Sequence, residues 1–171
     1  MKYIIVLFLS LIFIGCSTPQ GPTKKKIPLN KLTLLLTFNN KIDKNEAQAL
    51  SYQMIKQSEK LTKEYHLVSP PLYHNFLVNI GIKKRGLCWH FAYDMLEHAK
   101  KQNLNNFDYY IGGANINDYW QEHNSLVITC KGCSFDEGIL IDPWRNSGKL
   151  YFSKINNDHD YKWSKRGGKR N

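Results

Sequence analysis

No apolar run in this chain is long enough to cross a bilayer, no segment repeats another, and no second pair of metal-type ligands completes a zinc site. Residues 3–14 are apolar except for Ser10, well short of the roughly 20 residues that a spanning helix needs. Cys130-Lys131-Gly132-Cys133 has no partner CxxC or His-x-x-x-His, so a structural metal is not expected and no cofactor is implied. A thioredoxin-like role is also excluded, because the pair sits among strand-like residues rather than at a helix start. A local disulfide and two free thiols remain the alternatives, the first favoured by an oxidising compartment. Acidic residues are scarce: 14 Asp and Glu face 24 Lys and Arg, giving a formal charge of +10. The excess is spread over Lys24-Lys25-Lys26, Lys83-Lys84-Arg85 and residues 162–170, as expected of a solvated surface or one attracted to anionic membranes and wall polymers. Nucleic acid is not the expected partner of an exported chain.

The beginning of the chain gives the reason to expect export. Lys2, the apolar run and Gly15 before Cys16 read as a short secretory signal. Phe13-Ile14-Gly15-Cys16 resembles a bacterial lipobox, with Phe13 where leucine is usual. Residues 1–15 are therefore expected to be a lipoprotein signal peptide, with Cys16 acylated and anchoring the chain to the membrane. The expected location is the bacterial cell envelope, and Ser17 favours the outer membrane over the inner one in a Gram-negative host. Residues 16–30, with three prolines and a lysine run, read as a tether. Residues 31–155 read as one domain, and residues 156–171 as a basic, flexible tail with no apolar residue after Trp163.

Within the domain the elements fall in a definite order. Asp43 or Asn45 is placed to cap a helix running to about Tyr65, with Ala47, Leu50, Met54 and Leu61 on its apolar face. Pro70 and Pro71 open a second helix ending near Gly81. A third begins at Cys88, with Phe91, Ala92, Met95, Leu96 and Ala99 at helical spacing. Residues 106–111, 123–130, 138–142 and 150–152 are strand candidates, and residues 32–38 form an apolar run that opens the fold. Helices first and strands afterwards argue α+β.

Three residues at the element ends carry chemistry. Stepping back from Phe91 puts Cys88 on the inward face of the first helical turn, where unpaired N–H groups and the dipole favour a thiolate. Gly86 allows a tight turn just before it. His123 starts one strand and Asp142 ends the next, so an antiparallel hairpin through KGCSFDE would bring them to one end of the ladder. Cys88, His123 and Asp142 are then nucleophile, general base and orienting carboxylate. A core thiol is the competing reading of Cys88. The backbone N–H of Cys88 is a candidate oxyanion donor, with Gln121 and Asn75 as candidates for a second. Trp89, Trp120 and Trp144 are candidates for cleft walls or core. His66, His74, His90, His98 and His159 find no second ligand and read as surface or satisfied core residues.

Gly86-Leu87-Cys88-Trp89, His123 with its strand, and Ile141-Asp142-Pro143-Trp144 together resemble the transglutaminase-like superfamily, the papain-related group of cysteine peptidases. The resemblance covers residues 70–150. It departs after His123, where Asn124 and Ser125 replace the aromatic residue often found there. It implies a papain/transglutaminase-like core, with N-terminal helices and the Cys helix packed on a small antiparallel sheet, and hydrolysis of a peptide or isopeptide bond in a peptide, protein or cell-wall substrate. The alternatives are a catalytically inactive module with a binding or structural role, and a protein-glutamine transamidase.

Overall fold

The structure, a computed structural model, describes residues 23–37, 42–118 and 120–167. The expected signal peptide and Cys16, the expected site of lipidation, lie outside the described residues. Four helices come first: α1 (Thr23–Leu36), α2 (Lys44–Glu64), α3 (Pro71–Asn79) and α4 (Cys88–Lys100). The strands β1 (Phe107–Ala114), β2 (His123–Cys130), β3 (Ile139–Asp142), β4 (Tyr151–Lys154) and β5 (Ser164–Lys165) follow. They form one antiparallel sheet in the order β4-β3-β2-β1-β5, which makes the chain α+β.

Each helix has a local cause. Asp43 caps α2 by accepting the N–H groups of Asn45 and Glu46. Ala47, Leu50, Met54 and Leu61 give α2 a fully buried stripe. α2 packs against α1 and α4, and α4 lies on β1 and β2 through Phe91, Ala92 and Met95. β2 is central, and all eight of its residues are buried. Leu126, Ile128 and Cys130 face the helices, while Val127 joins Leu140 and Ile155 in a second cluster completed by Tyr110, Phe135, Tyr151 and Trp163. A strand covered on both faces fixes its register, because a one-residue slip would exchange the two sets of side chains.

Two boundaries differ from the sequence reading. The segment 16–30 is not a tether throughout: α1 starts at Thr23, passes through Pro28 and buries Leu32 and Leu36 completely. Its lysines and proline concealed a helix whose fully buried apolar residues, Leu32 and Leu36, lie in the second half. The tail set at residue 156 belongs to the domain as far as its last strand. Asp158 is buried, Trp163 donates to its carboxylate at 2.7 Å, and β5 pairs with Gly112 and Gly113 of β1. Aromatic residues two apart among charges, Tyr161 and Trp163, were the signal of a packed segment.

Candidate active site

Cys88 is the first residue of α4, and the turn before it is built by two buried histidines. His90 turns back so that its Nδ1 accepts the N–H groups of Gly86 (3.1 Å) and Leu87 (3.2 Å), the role a glutamate plays at this position in a capping box. His74, wholly buried in α3, accepts the Val68 N–H at Nδ1, which leaves its Nε2 to donate to the Arg85 carbonyl at 2.9 Å. Gly86 has φ +121°, and a Cβ there would lie 2.0 Å from His74 Nε2. Only glycine permits both the backbone conformation and this approach. The outcome is a thiol fixed at a helix start, 5 % exposed, with its Sγ 3.8 Å from the Glu122 carbonyl oxygen.

His123 and Asp142 meet across the β2–β3 pair. The ladder aligns Leu126 with Ile141 and Val127 with Leu140, so Asp142 falls next to Ser125 and one diagonal step from His123 on the same face. His123 Nε2 lies 2.7 Å from Asp142 Oδ2, with both side chains buried. A carboxylate only accepts, so Nε2 carries the proton and Nδ1 is the other face of the ring. Nδ1 is buried and makes no hydrogen bond, although Cys88 is near enough to influence the ring. Catalytic hydrogen bonds are often this loose before substrate binds.

The electrostatics of the pair are lopsided. Burial works against a charged imidazole, but the Asp142 charge and hydrogen bond, with the Cys88 sulfur nearby, outweigh it and raise the His123 pKa to about 9. Burial likewise pushes Asp142 upward, and His123 together with Arg145 holds it below the ordinary carboxylate value. The sequence reading did not single out Arg145, although this residue completes the site. Its Nε donates to Asp142 Oδ2 (3.1 Å), its backbone N–H to Oδ1 (3.2 Å), and its guanidinium to Asp158 (2.6 and 2.9 Å) and Asp160 (3.1 Å). The rings of Tyr151 and Tyr161 lie 4.0 and 4.8 Å from the guanidinium carbon. His123 is enclosed by Trp144, Tyr161 and Trp163, at ring separations of 4.7, 4.8 and 5.3 Å. Two of these aromatic residues come from the segment read as a tail.

Two cavities open on Cys88. The larger, about 450 Å³, is lined by Leu72, Phe76, Leu87, Trp89 and Trp120 with Asn75, Asn79 and Glu122. The smaller, about 230 Å³, adds Asn115, Gln121, His123, Trp144 and Tyr161. Both amide candidates therefore reach the site. Asn75 is the better oriented, because its Oδ1 accepts the Trp144 indole N–H at 3.0 Å. An indole nitrogen only donates, so the Asn75 NH₂ is the end left for another acceptor. Of the tryptophans, Trp89 and Trp120 wall the larger cavity and Trp144 packs against His123.

Cys130 and Cys133 form a disulfide at the other end of β2, and Cys88 is the free cysteine among the described residues. No group of three or more His, Cys, Asp or Glu side chains among the described residues is placed to hold a metal ion. In comparisons with family models, curated proteins and solved structures, nothing matches the chain.

Proposed function

We propose that the chain is a cysteine hydrolase of amide bonds, peptide or isopeptide, built on a papain/transglutaminase-like core. The observation that carries this reading is a buried imidazole with one nitrogen bonded to a buried carboxylate and the other unbonded beside the free thiol at a helix start. That is the arrangement of a thiolate–imidazolium pair. The Cys88 sulfur attacks the carbonyl carbon, and the C=O electrons move onto oxygen. The Cys88 backbone N–H and the Asn75 NH₂ receive that oxyanion, each donor worth a few kcal/mol of barrier if well aimed. His123 Nδ1 gives its proton to the departing amine as the C–N bond breaks, leaving a thioester. The same nitrogen then takes a proton from water, whose oxygen attacks the thioester carbon; the C–S bond breaks, the acid departs and Cys88 is left as the thiolate beside the imidazolium. Asp142 keeps the Nε2 proton in place and balances the imidazolium throughout. Water is always available, whereas transamidation needs an amine site. Lipid at Cys16 would hold this domain at the envelope surface, close to peptide and wall substrates.

The test is turnover of envelope peptides by wild type against Cys88→Ser, with stability followed in parallel. The expected result is loss of cleavage in a folded variant. Equal patterns of cleaved peptides would leave a binding or structural module.

A further inference from the structure

α3 is an unusual helix for this fold. The other helices bury an apolar stripe, whereas the one buried side chain of α3 is His74. Leu72, Asn75, Phe76 and Asn79 occupy one face at i, i+3, i+4 and i+7, and that face lines the larger cavity. Leu72 and Phe76 remain 68 % and 55 % exposed, and Trp120 opposite them 81 %. A stripe of this kind is normally withdrawn from water. Here it is held open beside the nucleophile by the bonds of His74 to Val68 and Arg85 on the back of the helix.

The two cavities adjoin along Leu72, Asn75, Cys88, Trp120 and Glu122, but His123 lines only the smaller and Phe76, Leu87 and Trp89 only the larger. The general acid must stand where the amine departs, so the cavity containing His123 receives the leaving side of the bond. The other cavity must then hold the acyl side. We infer that, while the smaller cavity receives the leaving amine, the larger one, with Phe76, Leu87 and Trp89 beyond the shared Leu72 and Trp120, selects a peptide acyl donor bearing a bulky apolar side chain. Its volume of about 450 Å³ falls in the range of about 300–1,000 Å³ typical of ligand sites. The amide of Asn79 suits the backbone N–H and C=O groups of a peptide, which a hydrocarbon chain lacks. This inference rests on Cys88 being the nucleophile.

The experiment compares alkylation of Cys88 by iodoacetamide with alkylation by N-acetyl-Gly-Gly, N-acetyl-Gly-Phe and N-acetyl-Phe-Gly chloromethyl ketones, each site-resolved by mass spectrometry. Rates are divided by the iodoacetamide rate of the same protein. At least one Phe compound is expected to exceed Gly-Gly by about tenfold or more. Leu72→Ala and Phe76→Ala, both at exposed positions, should each shrink that ratio several-fold. Equal ratios for all three ketones, or ratios untouched by both substitutions, overturn the inference while leaving the nucleophile reading intact. Iodoacetamide labelling that does not respond to His123→Ala overturns both.

Discussion

His90 and His123 are both buried, yet their environments drive them in opposite directions. For His90, burial is reinforced by the nearby Arg85 charge, and its pKa falls to about 4. For His123, burial is opposed by Asp142, and its pKa rises to about 9. A neutral His90 can accept two backbone N–H groups and hold the Cys88 turn. A protonated His123 can hold a thiolate and donate to a leaving group. The difference shows that burial alone does not decide a histidine's charge; a carboxylate within hydrogen-bond distance does.

Removing the carboxylate is therefore the strongest way to break the contrast. Asp142→Asn should bring the His123 pKa down to or below 6.5, toward His90, as followed by NMR of the imidazole protons. Turnover should fall by roughly 10⁴-fold, since the amide also permits the wrong tautomer. Arg145→Met attacks the same balance from outside the triad. It leaves Asp142 and Asp158 buried without their shared cation, and urea unfolding should show a loss of about 3–5 kcal/mol.

The contrast also has a pH signature. The His123 pKa is raised on folding, so its contribution to stability is complete below about 6.5 and disappears as pH rises through about 9. Asp142 is shifted the other way, and its contribution is lost as pH falls through its depressed range. Wild type should thus lose stability between pH 6.5 and 9 in denaturant titrations, and His123→Gln should lose that slope. The smallest effect belongs to His90. His90→Ala deprives two N–H groups of their acceptor and should cost about 1–3 kcal/mol, with the alkaline slope retained.

How far the site could be read from the sequence depended on where its parts lie. Cys88, His123 and Asp142 stand at the ends of periodic segments, where a change of pattern marks an element boundary and hence a position in space. The α2 cap at Asp43 was legible for the same reason. Arg145 was hidden because its partners are split between Asp142, three residues before it, and Asp158, in a segment that looks like a charged tail. His74 and His90 read as surface or satisfied core residues, and in packing they are the latter. Their hydrogen bonds to the backbone around Gly86 depend on the fold of the turn, and no spacing announces them. The early part of α1 was lost to composition, since three lysines and Pro28 resemble a linker whether or not Leu32 and Leu36 later find a core.

The most direct measurement of the central claim is the pH dependence of Cys88 alkylation by iodoacetamide, in wild type and in His123→Ala. The account predicts rapid labelling of wild type near neutral pH, because the protonated imidazole beside the sulfur supplies the cation that a thiolate nucleophile needs. In the variant, which lacks that cation, labelling should be at least about tenfold slower at the same pH. Superimposable profiles for the two proteins would contradict it.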